Sequence, residues 1–133
     1  GIEGEVAAHV SGSVATAIRI LTDFSPTKEG LGKGDRVVFT GASSAVAQIL
    51  LQLAAARGLE IVCLVCSEEE AALAMSLGAW KATQLKEFKA MRMDNACLVA
   101  DGEGGVLGFT AARALCFRGV YVSYADASGG GIR

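Results

Sequence analysis

Thr40-Gly41-Ala42-Ser43-Ser44 follows the apolar run Val37-Val38-Phe39 and precedes a helix-forming stretch that ends at Gly58. A buried strand that turns through such small residues into a helix N-terminus leaves a cavity floored by backbone N–H groups. The helix dipole makes that cavity favourable to an anion. The chemistry available is to hold a nucleotide pyrophosphate, with Gly41, Ala42, Ser43, Ser44, Ala45 and Val46 as candidate binding residues. Ser43 and Ser44 can cap the helix and bond a phosphate through the same hydroxyl. The competing reading is a tight strand-to-helix turn that serves packing alone.

Other reactive residue types are sparse. Cys63 and Cys66 form a CxxC, but both fall in an expected strand, where a spacing of three sends them to opposite faces. With Cys97 and Cys116 they read as free thiols of a reducing, intracellular compartment, cytoplasmic or mitochondrial. His9 is the only histidine, so no metal site is expected. Carboxylate, Ser-His and Cys-His pairs suited to acid–base or nucleophilic work are lacking, and the chain on its own is expected to be catalytically silent. Asp101-Gly102-Glu103-Gly104-Gly105 reads equally as a helix-entry loop or as a wall of a ligand pocket. Tyr121 and Tyr124 read as core or sheet-face residues, Trp80 as packing, and Glu68-Glu69-Glu70 as a solvated first helical turn.

The elements that must position these residues alternate. A helix is expected over 5–22, with a stripe of Val6, Val10, Val14, Ala17, Ile18 and Leu21, followed by a connection, so that residues 1–34 form a lead-in. Strands are expected at 36–40, 60–66, 80–84, 96–100 and 120–124. Between them lie helices at 44–57, from Ser67 to Leu77, a short one at 85–91, and one at 106–117 closed by Gly119. Ser67 and Glu70 have capping-box spacing. The pattern predicts one α/β domain over 1–133, a doubly wound parallel sheet of about five strands that stops before a sixth. The crevice should lie at the C-terminal ends of the first and fourth strands, where strand order reverses.

A net charge of −2 with scattered Lys and Arg gives no footprint for nucleic acid. The apolar runs are strand-length, short of the ~20 residues of a membrane span, and the acidic start has no basic leader.

Several motifs together resemble the cofactor domain of the medium-chain dehydrogenase/reductases. They are Gly34-Asp35-x-Val37, Gly41-Ala42-Ser43-Ser44-Ala45-Val46 with Gln48 and Gln52-Leu53-Ala54, Leu77-Gly78-Ala79, Asp101 with Gly104-Gly105, and Arg118-Gly119-x-Tyr121-Val122 before Tyr124. The zinc-free quinone-oxidoreductase group is similar, the mitochondrial trans-2-enoyl-CoA reductase branch most so. The resemblance implies a Rossmann-type domain that binds NADP(H), or NAD(H), and no metal. Hydride would go to an activated C=C of an enoyl thioester or quinone. It further implies a GroES-like substrate domain outside this chain and a homo-oligomer, here through the fifth-strand edge. Gly41–Val46 would meet the pyrophosphate, Cys66 and Ser67 would follow the second strand, and Asp101, Gly102, Tyr124 and Ala125 would lie on the nicotinamide side.

Four departures bear on that transfer. Ala47 stands where the family has Gly, and Tyr124-Ala125-Asp126 replaces Tyr-Gly-Gly. Glu68–Glu70 follow the second strand where NADPH users place Ser, Lys or Arg, and no carboxylate ends that strand to hold an NADH ribose. A degenerate Rossmann module with a structural or assembly role is therefore the alternative, and another nucleotide or adenosyl-methionine binder a third.

Overall fold

The computed structural model describes residues 2–23 and 31–124, with side chains from Gly12 onward. The side chains of Val6, His9 and Val10, and Ala125 altogether, lie outside that description. The order is α1 (Ile2–Asp23), β1 (Arg36–Thr40), α2 (Ala45–Ala56), β2 (Glu60–Leu64), α3 (Glu68–Ser76), β3 (Lys81–Thr83), α4 (Leu85–Met91), β4 (Ala96–Asp101), α5 (Gly105–Ala112) and β5 (Leu115–Ser123). One five-stranded sheet runs β3-β2-β1-β4-β5, with every pairing parallel. The order reverses between β1 and β4, as the alternation of elements predicts for a Rossmann-type sheet.

Strands covered on both faces divide their apolar residues between two cores. Val37, Phe39, Ile61, Cys63, Leu98 and Ala100 pack with Ala17, Leu21, Leu50 and Ala54 of α1 and α2. Val38, Val62, Leu64 and Val99 pack with Phe88 of α4 and Ala111 of α5 on the other face. Among the described residues no helix is long and apolar enough to cross a membrane.

Four expectations change. The helix predicted over 106–117 ends at Ala112, because β4 begins at Ala96, whose N–H donates to the Ala114 carbonyl at 2.9 Å. The chain must be extended by Leu115, the partner of Ala96, so Leu115–Phe117 join a strand expected only at 120–124. The surplus residues bulge before Val120 pairs with Leu98, Arg118 takes a φ of 69°, and Phe117 faces outward. Second, Ile18 is exposed and Ile20 takes its place on the buried stripe of α1. Third, β2 stops at Leu64, leaving Cys63 buried in the strand and Cys66 exposed in the turn beyond, so the two do not share a strand. Last, Trp80 is half-exposed and lies over the Arg36 guanidinium at 5.1 Å, at the N-terminal end of β1 and thus the far end of the sheet from the crevice. Arg36 in turn pairs with Glu60, its register partner on β2.

Candidate functional site

The turn after β1 and the loop after β4 meet at the switch point. Gly41 has a φ of +82°, open to glycine and strained for other residues, and a Cβ there would lie 2.5 Å from a Glu103 carboxylate oxygen. The β4 loop therefore lies directly over the turn. Ser44 is the N-cap of α2, with extended backbone and its Oγ accepting from the Ala47 N–H at 3.1 Å. A helix leaves its first N–H groups without intrahelical partners, and Ser44 satisfies one of them. Ala42, Val46 and Ala47 are buried, whereas Ser43 is exposed beside the opening.

Asp101, the last residue of β4, has no exposed surface. Its Oδ1 accepts from the Thr40 hydroxyl at 2.6 Å and from the N–H groups of Glu103 and Gly104 at 3.0 and 2.8 Å. Its Oδ2 accepts from the Tyr121 hydroxyl at 2.5 Å. Burial alone would raise this carboxyl; the bonds from Thr40, Tyr121, Gly104 and Glu103 outweigh it and hold it below its ordinary value. Gly108 makes room for it, since a Cβ there would run into Oδ2. Of the two readings left open for the 101–105 loop, the described bonds give Asp101 the entry of α5. Tyr124 is buried, its ring and hydroxyl against Gly102, where a Cβ would come within 2.7 Å. Its hydroxyl has no hydrogen-bond partner among the described residues.

The β2 side is built differently. Ser67 caps α3 as its spacing predicts, its Oγ accepting from the Glu70 N–H at 3.1 Å. Glu70 does not point into solvent. Its Oε1 accepts from the Cys66 N–H at 2.9 Å, and its Oε2 accepts from the Ala42 N–H at 2.9 Å and from the Ser43 hydroxyl at 3.4 Å. The sequence offers no carboxylate at the end of β2, yet α3 folds one back to that place. Spacing could not reveal this contact, because Ala42 and Glu70 are 28 residues apart and joined only through the β1–β2 pairing.

Ser43, Cys66, Ser67, Glu69, Glu70 and Glu103 line an open hollow of about 450 Å³. Burial, then the charges of Glu70 and Asp101, raises the Glu103 carboxyl. Burial, then Glu70 and Glu103, pushes the Cys63 thiol up to about 12; it donates to the Gly41 carbonyl at 3.4 Å. Cys63 is thus a packed thiol without nucleophilic character at neutral pH. A larger hollow of about 600 Å³ between α4 and α5, lined by Phe88, Val106, Phe109 and Arg113, includes none of the predicted site residues. Among the described residues no group of three His, Cys, Asp or Glu could hold a metal.

No protein-family model matches the chain, and no curated protein does. Solved structures do. A quinone oxidoreductase of Pseudomonas syringae pv. tomato superposes with a TM-score of 0.61 at 28% identity, over 74% of this chain and 32% of that one. Escherichia coli quinone oxidoreductase, solved in complex with NADPH, gives 0.64 at 24% identity, over 84% of this chain and 35% of that one. A mycobacterial quinone oxidoreductase gives 0.72 at 21% identity, over 90% of this chain and 38% of that one; these last two are likenesses of fold alone. The chain spans about a third of the length of each. Motifs, sheet order and structural neighbours agree that this chain resembles the cofactor domain of the medium-chain dehydrogenase/reductases, in the quinone-oxidoreductase group.

Proposed function

We propose that the chain is the nicotinamide-dinucleotide domain of an oxidoreductase that reduces an activated C=C, an enoyl thioester or a quinone. The observation that carries this reading is the Ser44-capped N-terminus of α2 opening at the β1/β4 switch point. That is where open α/β sheets bind dinucleotides. The chain's own residues fit one in part. Gly41 lets the turn approach closely, and the first turn of α2 supplies N–H groups and a favourable dipole for the pyrophosphate. When bound, the cofactor supplies the hydride. This chain binds and orients it, while the substrate site belongs to a GroES-like domain elsewhere in the polypeptide. A homo-oligomer through β5, an outer strand of the sheet, belongs to the same reading.

Titration with NADH and with NADPH tests it, read as enhanced nicotinamide fluorescence. Trp80 is remote from the crevice and its quenching is not the signal. A rise that saturates below millimolar cofactor supports the reading; no response to either dinucleotide at millimolar concentration overturns it. Sedimentation across micromolar concentrations tests the β5 contact, and a strictly monomeric profile counts against it.

The Glu70 carboxylate on the Ala42 amide favours a second reading, a degenerate module whose turn is satisfied internally. Under it the wild-type chain binds nothing, and Ala47→Gly combined with Glu70→Lys creates measurable affinity.

A further inference from the structure

Glu70 is anchored at both oxygens by amides from different segments, Cys66 after β2 and Ala42 after β1. An ionised carboxylate offers about four acceptor sites, so two amide bonds and the longer Ser43 hydroxyl contact leave about one for a ligand. The end of β2 beside the first turn is where a dinucleotide lays its adenosine ribose, and a carboxylate there accepts from the ribose hydroxyls.

From this geometry we propose that Glu70 selects the adenosine ribose: the crevice accepts a nicotinamide dinucleotide with free 2′- and 3′-hydroxyls and rejects one carrying a 2′-phosphate. The inference rests on the dinucleotide reading above and narrows it against the NADP(H) that the family resemblance implies. Charge works in the same direction. Glu69, Glu70 and Glu103 share the hollow, and no Lys or Arg lines it among the described residues. A 2′-phosphate would enter with two negative charges and meet no cation. Beside the β4 loop, away from the hollow, one buried hydroxyl also lacks a partner among the described residues. It belongs to Tyr124, which is 4% exposed and lies against Gly102.

The test compares NADH with NADPH by nicotinamide fluorescence, and ADP-ribose with its 2′-phosphate by calorimetry, on the 133-residue chain and three variants. Wild type is expected to bind the unphosphorylated member of each pair at least tenfold more tightly. Glu70→Gln removes the charge and one of the two acceptor oxygens, so NADH should weaken about tenfold while NADPH does not weaken, and the preference should collapse. Glu70→Lys should invert the preference, and Glu103→Gln should shift it the same way by a smaller factor. Equal binding of NADH and NADPH by wild type, or a ratio that Glu70→Gln leaves unchanged, overturns the selection by Glu70 and leaves the dinucleotide reading standing. Failure of wild type and every variant to bind either dinucleotide overturns both.

Discussion

The two walls of the crevice each hold a carboxylate fixed by backbone amides, and they put it to opposite uses. On the β4 wall, Asp101 is fully buried and accepts four hydrogen bonds, from Thr40, Tyr121, Glu103 and Gly104. All four come from within the chain. On the β2 wall, Glu70 borders an open hollow and spends part of its capacity on Ala42 and Cys66. A saturated, buried carboxylate defines local structure, whereas a partly satisfied one at an opening is, in our proposal, the group that reads what enters. In both cases the anchoring amides lie in the turns just after the strands, so the same parallel sheet supplies both walls.

The strongest way to break this contrast is Asp101→Ala. It strands a buried hydroxyl and two amides, and should cost about 3 kcal/mol or more in urea unfolding. A loss near that of an exposed residue would mean that the β4 wall is not structural. Gly108→Ala drives a methyl into the same carboxylate and should cost about 2 kcal/mol. Tyr121→Phe removes a single bond to Oδ2, for about 1 kcal/mol. The pH dependence sharpens the contrast. The folded Asp101 carboxyl lies below its unfolded value of about 4, so its stabilisation is full above that pH and disappears as pH falls through the lower folded value. Asp101→Asn should flatten that acid limb of the stability profile. Glu70→Gln sets an NH2 against one of the two anchoring N–H groups on a half-buried wall and should cost about 1 kcal/mol, well short of Asp101→Ala. Its main effect belongs to dinucleotide discrimination.

Much of this was legible in the residues. Strand order, the crevice and the Ser44 and Ser67 caps follow from apolar runs broken by small-residue turns, which are local signals. The misreadings have non-local causes. Leu115-Cys116-Phe117 look like the last turn of a helix, and only pairing with Ala96 makes them extended. Glu70 looks like one of three solvated glutamates, and only the β1–β2 alignment brings the Ala42 amide within its reach. A long flexible side chain hides its partner from sequence spacing. A tyrosine such as Tyr121 hides its partner too, since the Asp101 contact crosses from β5 to β4.

The clasp around Asp101 also bears on how the domain breathes. It binds the C-terminal ends of β1, β4 and β5 into one block, which the Tyr124 N–H extends by donating to the Asp101 carbonyl at 2.9 Å. Amide protons at Glu103, Gly104 and Tyr124 should exchange with deuterium only on global unfolding. The other wall rides on α3, with Ala74 its one buried residue, and on the three-residue β3, so it can open locally. The crevice has a slow wall and a quick one. A ligand should register as new protection at Cys66 and Ala42 while the protons beside Asp101 keep their pace.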